Sequence, residues 1–232
     1  MKISIIIPLY NQQEYISDAI ESALSQTVKP HEIIVINDGS TDNSLEIARK
    51  YPIKVINQTN RGLPSARNTG IMNATGDYIL PLDADDILLE NCLDKITQET
   101  EKTDADIISP SFKEFGIRDT KIILMPNPTI EDFKTANRVA YCSAIKKDAL
   151  LEVGGYSSKM VWGYEDYALW FNLLTRGKAI ITIPEVLWLY RTKEHSMIND
   201  SIAHHEELMK QIAKDFPDVF PEYVEIKTPL PK

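Results

Sequence analysis

The chain has 232 residues, 43% of them hydrophobic and 25% charged, enough length and apolar content to bury the core of one large domain. Its formal net charge of −9 repels nucleic-acid phosphates and anionic lipid, so neither is expected as a direct partner. An anionic substrate would need a metal ion or a local basic cluster to offset that background.

Cys92 and Cys142 have no paired spacing, which predicts buried free thiols in a reducing compartment rather than a zinc site or a disulfide framework. The opening "MKISIIIPLYN" holds an apolar run too short for a signal peptide's core, and Pro8 interrupts it. No stretch approaches the ~18 apolar residues of a spanning helix, so no integral membrane segment is expected. The expectation is a soluble, cytoplasmic protein, with peripheral attachment to a membrane left open.

In chain order, the Ile-rich "KISIIIPLY" reads as a strand buried on both faces. "QEYISDAIESALSQT" follows with Tyr15, Ile16, Ala19, Ile20, Ala23 and Leu24 at helical spacing. The alternation continues through a strand "EIIVIND", a helix "DNSLEIARKY", a strand "IKVINQ", a helix "LPSARNTGIMNA" and a strand "DYILPLD". Four strands alternating with three helices predict a doubly wound, mostly parallel α/β sheet with right-handed crossovers. Next come a helix "ENCLDKITQETEK" and a strand "ADIISPSF", then an irregular stretch over 113–138 read as loop or hairpin. "VAYCSAIKKDALLEVGGY" predicts a strand and a short helix ended by Gly154 and Gly155, and "EDYALWFNLLTRG" a helix stopped at Gly177. "KAIITIPEVLWLYR" is further strand, a last helix covers roughly 201–215, and the Pro-rich tail over 216–232 is expected to be extended or loosely docked.

In open parallel sheets, ligands bind beyond the carboxyl ends of the strands. Three predicted strands end in polar clusters that should share one crevice: Tyr10-Asn11, Asp38-Gly39-Ser40 and Asp83-Ala84-Asp85. If the strand stays extended through 85, Asp83 and Asp85 project to the same side. They could share a divalent cation, or divide between an ion and a sugar hydroxyl; Mg²⁺ or Mn²⁺ suits such oxygen ligands. A polar turn is the structural alternative, and Asp86 is expected to cap the helix that follows. In "NDGSTDNS", Ser40 or Thr41 is a candidate N-cap with Asp42 in the first turn, while Asp38 at the strand end could accept a hydrogen bond from a nucleobase N–H. No Gly-x-Gly-x-x-Gly and no Walker pattern is present. Glu165 and Asp166 open an apolar helix, where acids ordinarily serve the dipole. Two of them behind Trp162-Gly163 also form a means of holding and deprotonating a sugar hydroxyl.

The ordered set "SIIIPLYN", "IIVINDGSTDNS", "NRGLPSARNTGI", "GDYILPLDADD", "GGY", "WGYEDYALWFNLLTRG" and "YRTKEHSMIND", over about residues 3–197, resembles the family-two nucleotide-sugar glycosyltransferases of GT-A fold. The resemblance implies a single GT-A-type domain over 1–215, with a nucleotide-sugar-binding half over 1–112 and an acceptor-binding half over 113–215. It implies an inverting transfer from a nucleotide-diphosphate donor, UDP-sugar favoured, to a saccharide or lipid-linked saccharide acceptor, in surface polysaccharide or glycoconjugate synthesis. Carried over position by position, Pro8 and Tyr10 wall the nucleotide base and Asp38 hydrogen-bonds it. Asp83 lies near the ribose, Asp85 is the ligand of a Mg²⁺ or Mn²⁺ ion, and Asp166 is the general base. Trp162 and Glu165 fall on the acceptor side, and Arg67 supports the donor site or pins its helix to the sheet. Many relatives carry a His two residues after the Arg of "YRTKEHSMIND"; here that position is Lys193, which could meet the diphosphate, and His195, two residues later, could ligate the metal. The competing readings are a sugar nucleotidyltransferase, for which the loop "PLYNQQEY" lacks a Gly-rich phosphate cradle, and a sugar-nucleotide-binding module without catalysis.

Overall fold

The computed structural model describes residues 1–194 and 197–221, the side chains of 197–199 excepted. Its first half follows the alternating pattern: β1 (Ile3–Leu9), α1 (Ile16–Leu24), β2 (Glu32–Asp38), α2 (Ser44–Ala48), β3 (Lys54–Gln58), α3 (Leu63–Asn73) and β4 (Tyr78–Pro81). β1 pairs in parallel with β2 and β4, and β2 pairs in parallel with β3. Every residue of β1 is buried, because helices cover both faces of the sheet. Side chains alternate between those faces. Ile5 and Ile7 join Ile16 and Ile20 of α1 on one side, while Ile6 joins Ile34, Ile36 and Ala66 on the other. α3 lies so close to the strands that a Cβ at Gly70 would sit 2.9 Å from Ile36 Cδ1 and 3.0 Å from Ile6 Cβ, so the approach requires glycine.

The second half is β5 (Ile87–Leu88), α4 (Cys92–Lys102), β6 (Ile107–Gly116), β7 (Lys121–Ile122), α5 (Ile130–Phe133), β8 (Ala144–Lys146), α6 (Lys147–Glu152), α7 (Glu165–Leu174), β9 (Ile180–Thr192), α8 (Met197–Ala203) and α9 (His205–Asp215). Among the described residues one sheet runs β3-β2-β1-β4-β8-β6-β9-β5, with β7 paired to β6. β8 is inserted antiparallel between β4 and β6, and β9 returns parallel to β6. The architecture is thus a single mixed α/β domain with a mostly parallel sheet. No helix among the described residues is long and apolar enough to cross a membrane.

Several expectations change in detail. The region 113–138 holds the end of β6, the short antiparallel β7 and the one-turn α5, closed by a reciprocal Thr129–Asp132 capping box. α2 begins at Ser44, after Asn43, so Asp42 precedes the helix; its carboxylate accepts from the backbone N–H of Ser44 and of Gln13. Helix 201–215 is two helices, α8 and α9. The first residues of the predicted tail are packed rather than loose: Val219 and Phe220 are buried, and Phe216 and Phe220 meet the Phe171 ring at 5.9 and 5.1 Å. Their apolar side chains outweigh the local proline content. Cys92 and Cys142 are free and buried, and burial pushes the Cys92 thiol up to about 12.

Candidate active site

The ends of β1 and β2 are tied to each other. Asn11, in the left-handed region at φ 51°, accepts from the Thr41 N–H at 2.8 Å, and its own N–H donates to Ser40 Oγ at 3.1 Å. Beside this joint, Tyr10 is exposed and Pro8 is buried within β1. Asp38, at the end of β2, is only 3% exposed. Its carboxylate accepts from Gln58 Nε2 at 2.7 Å, the Arg61 N–H at 2.9 Å and the Gly62 N–H at 2.8 Å. Asp38 therefore shapes the loop that leads into α3.

The acidic loop departs from the extended geometry. β4 ends at Pro81, and the chain turns so that the Asp86 N–H donates to the Asp83 carbonyl at 3.1 Å. Asp83 and Asp85 consequently meet different cations. Asp83 accepts from Arg67 at 2.8 Å and Asp85 from Lys193 at 2.5 Å. Asp86 is not a cap: α4 starts six residues later, at Cys92 after Asn91, with the β5 strand between. The Asp86 carboxylate is buried, accepting from the Tyr141 hydroxyl and from the Arg191 N–H at 2.7 Å. Burial, and then the Asp85 and Asp83 charges, raise its carboxyl well above the ordinary range.

Two arginines hold this loop. Arg67 of α3 is 1% exposed and forks between Asp83 and Glu165, the latter at 2.5 Å. Its guanidinium also lies 5.1 Å from the Tyr141 ring and 5.2 Å from the Tyr156 ring. Burial disfavours the Arg67 charge, but Asp83 and Glu165 outweigh it and keep the group firmly protonated. Arg67 thus joins the 83–86 loop to the start of α7. Arg191, near the end of β9, donates to the Asp85 carbonyl at 2.8 Å and to Asp18 at 2.9 Å. The motif "YRTKEH" flagged this segment, and "GGY" contains Tyr156, whereas nothing in the sequence gave Asp86 these partners or singled out Tyr141.

Lys193 lies between two loops. Besides Asp85, its ammonium reaches Gln12 Oε1 at 3.4 Å and sits 4.9 Å from the Tyr15 ring. His195 lies outside the described residues. Among the described residues no group of three or more His, Cys, Asp or Glu side chains converges as a closed metal cage. The residues nonetheless fit an open site for a hard divalent cation: Asp85 offers carboxylate oxygen, a positive charge already stands against it, and Mg²⁺ typically takes one or two carboxylates with substrate oxygens.

At the opposite wall, Tyr164 takes a left-handed conformation at φ 61° and α7 begins at Glu165. Glu165 turns inward to Arg67; Asp166 is half-buried and faces Asn137, whose Nδ2 donates to it at 3.0 Å. Burial, and then the neighbouring Glu165 charge, push the Asp166 carboxyl up to about 7, against the pull of Arg67 and the Tyr167 N–H. Trp162 does not supply this burial. Its ring, 44% exposed, stacks on His204 at 4.5 Å and 4°. The loop residue Asn137, missed in the sequence, is Asp166's side-chain partner.

Residues 4–154 match the family model described as glycosyl transferase family 2. The chain belongs to glycosyl transferase family 2. Curated relatives agree. It is 44% identical to "Uncharacterized glycosyltransferase EpsJ" of Bacillus subtilis over 115 residues, 47% of this chain and 33% of EpsJ. It is 31% identical over 182 residues to the Escherichia coli protein named UDP-Glc:alpha-D-GlcNAc-diphosphoundecaprenol beta-1,3-glucosyltransferase WfaP, covering 75% of this chain and 71% of WfaP. Among solved structures, S. aureus TarS 1-349 in complex with UDP-GlcNAc superposes with a TM-score of 0.80 at 21% identity, over 94% of this chain and 67% of that one. The mannosyltransferase PcManGT of Pyrobaculum calidifontis, in complex with GDP-Man and Mn2+, gives 0.70 at 18% identity, over 92% of this chain and 63% of that one. At those identities the structures establish the shared GT-A fold. The chain spans about a third of EpsJ's length.

Proposed function

We propose that this family-two chain moves a glycosyl group from a nucleoside-diphosphate sugar to an acceptor hydroxyl, with inversion at the anomeric carbon. The observation that carries the reading is the placement of Asp166: a carboxylate in the first turn of α7, pushed up to about 7 by burial and the Glu165 charge, on a helix whose first residue is tied through Arg67 to the acidic 83–86 loop. In this reading Asp166 takes the acceptor proton, the freed oxygen attacks the anomeric carbon, and the bond to the diphosphate breaks.

The donor occupies the half over 1–112 and the acceptor the half over 113–215. Tyr10 and Pro8 wall the base. Asp38, with three of roughly four acceptor positions used, keeps one for a base N–H. Asp83 faces the ribose and Lys193 the diphosphate, the exposed Trp162 ring serves the acceptor, and Glu165, expected on the acceptor side, is instead turned inward and holds Arg67. Asp85 holds a Mg²⁺ or Mn²⁺ ion, which when bound neutralises charge on the departing diphosphate. The Mn2+ in the PcManGT complex supports the metal. The UDP-GlcNAc complex of TarS and the name of WfaP favour a uridine diphosphate donor, and WfaP's named acceptor supports a lipid-linked saccharide reached at a membrane surface. Surface polysaccharide synthesis fits these relatives.

The deciding experiment is a thermal-shift screen of uridine, guanosine and thymidine diphosphates with Mn²⁺, followed by transfer assays with hexose donors of the best base. Stabilisation by UDP and release of UDP during transfer are expected. No stabilisation by any nucleoside diphosphate would reject the reading.

A further inference from the structure

The contact between Lys193 and Asp85 has consequences for how the site fills. Lys193 Nζ stands 2.5 Å from Asp85 Oδ2, occupying part of the space around that oxygen which a bound cation would use. Among the described residues, Gln12 Oε1 at 3.4 Å and the Tyr15 ring, both neutral, also meet the ammonium. Asp83 already has a cation of its own, Arg67 at 2.8 Å. The backbone two residues before Lys193 is fixed, since the Arg191 N–H donates to buried Asp86 and its side chain to the Asp85 carbonyl and to Asp18. Only the four-carbon stem of Lys193 is left to swing.

We propose that Lys193 is a tethered competitor for the cation site at Asp85. A divalent ion and the ammonium exclude each other at Asp85 Oδ2, and the displaced ammonium turns to the diphosphate. The proposal rests on the metal-dependent nucleotide-sugar reading above and adds its order of filling. Metal alone binds poorly, because it strands a positive charge; with a nucleoside diphosphate present, that charge has a new partner. Metal and diphosphate therefore assist each other's binding, and the assistance is reciprocal.

The test is Mn²⁺ binding to the full chain, read from the electron paramagnetic resonance of free Mn²⁺, with and without UDP. Lys193→Met keeps the stem and removes the charge; Lys193→Arg keeps a charge. Without UDP, Lys193→Met should bind Mn²⁺ at least about tenfold more tightly than the unaltered chain and Lys193→Arg should not, while the tightening that UDP gives should shrink by a similar factor in Lys193→Met. Equal Mn²⁺ affinities in the unaltered chain and Lys193→Met, with UDP still enhancing both, would overturn the competitor role alone. Absence of Mn²⁺ binding in every protein, even with UDP, would overturn it together with the metal-dependent reading.

Discussion

Glu165 and Asp166 are neighbours in sequence that face different partners: Glu165 accepts from Arg67 at 2.5 Å, and Asp166 accepts from Asn137 at 3.0 Å. Successive helix residues diverge by about 100°, so one first-turn acid points into the core while the next points to the crevice. The pair divides into a carboxylate that holds Arg67 and one proposed as the base. Asp166→Asn should therefore leave donor affinity nearly unchanged and lower transfer by roughly 10²-fold or more, measured by single-turnover kinetics. Wild-type transfer in Asp166→Asn would place the base elsewhere.

The raised carboxyl of Asp166 also sets a pH dependence. Transfer should rise with pH through about 7 as the base ionises, and Asp166→Asn should lose that step. Stability runs the other way. Between the ordinary carboxyl value of 3.8 and about 7 the fold keeps a proton that the unfolded chain has released, so this group's contribution to stability falls as pH rises. Calorimetry should find Asp166→Asn with a higher Tm than the unaltered chain at pH 8, and no such difference below both values.

Arg67 neutralises two carboxylates from a site with almost no solvent access. Arg67→Met should cost about 3–5 kcal/mol, because Asp83 and Glu165 would then face each other without a cation. Urea unfolding reads this as a lower midpoint. Arg67→Lys should recover only part of the loss, since one ammonium replaces a two-armed fork.

The Tyr141 hydroxyl accepts from the Asp83 N–H at 3.1 Å and donates to Asp86. Tyr141→Phe keeps the ring that packs edge-on to Trp188 and beside Arg67, yet leaves two buried partners short of a hydrogen bond. A loss of about 1–3 kcal/mol is expected, together with weaker UDP and Mn²⁺ binding as the 83–86 loop relaxes. Calorimetric titration of the variant checks the second effect; unchanged affinity would make Tyr141 a packing residue alone.

The parallel half was legible because β1 and β2 carry Ile- and Val-rich runs and α1 repeats its apolar residues at helical spacing. Ile5 and Ile6 could be assigned to opposite faces from spacing alone. The polar clusters at the strand ends were legible too, and the structure ties Asn11 after β1 to Ser40 and Thr41 after β2. What escaped was set by long-range partners. Nothing near Asp86 announces that Tyr141 and Arg191 will meet it, so it read as a helix cap. The antiparallel insertion of β8 depends on its register against β4 and β6, which three residues of sequence cannot carry. Asn137 lies in a loop with no periodicity, so its contact with Asp166 left no trace in local pattern.

The aromatic seam between Phe171 and residues 216–220 makes α7, which carries the proposed base, a lever gripped from behind. Phe171 follows Asp166 by five residues, about 7.5 Å along the helix axis, and Phe216 and Phe220 close on it from the far side. A chain shortened at 215 would keep every side chain assigned to donor or acceptor. It would also bare the Phe171 face and leave the helix with fewer contacts to hold its angle. The proline-rich stretch that looks dispensable in sequence begins with part of the mounting for the base.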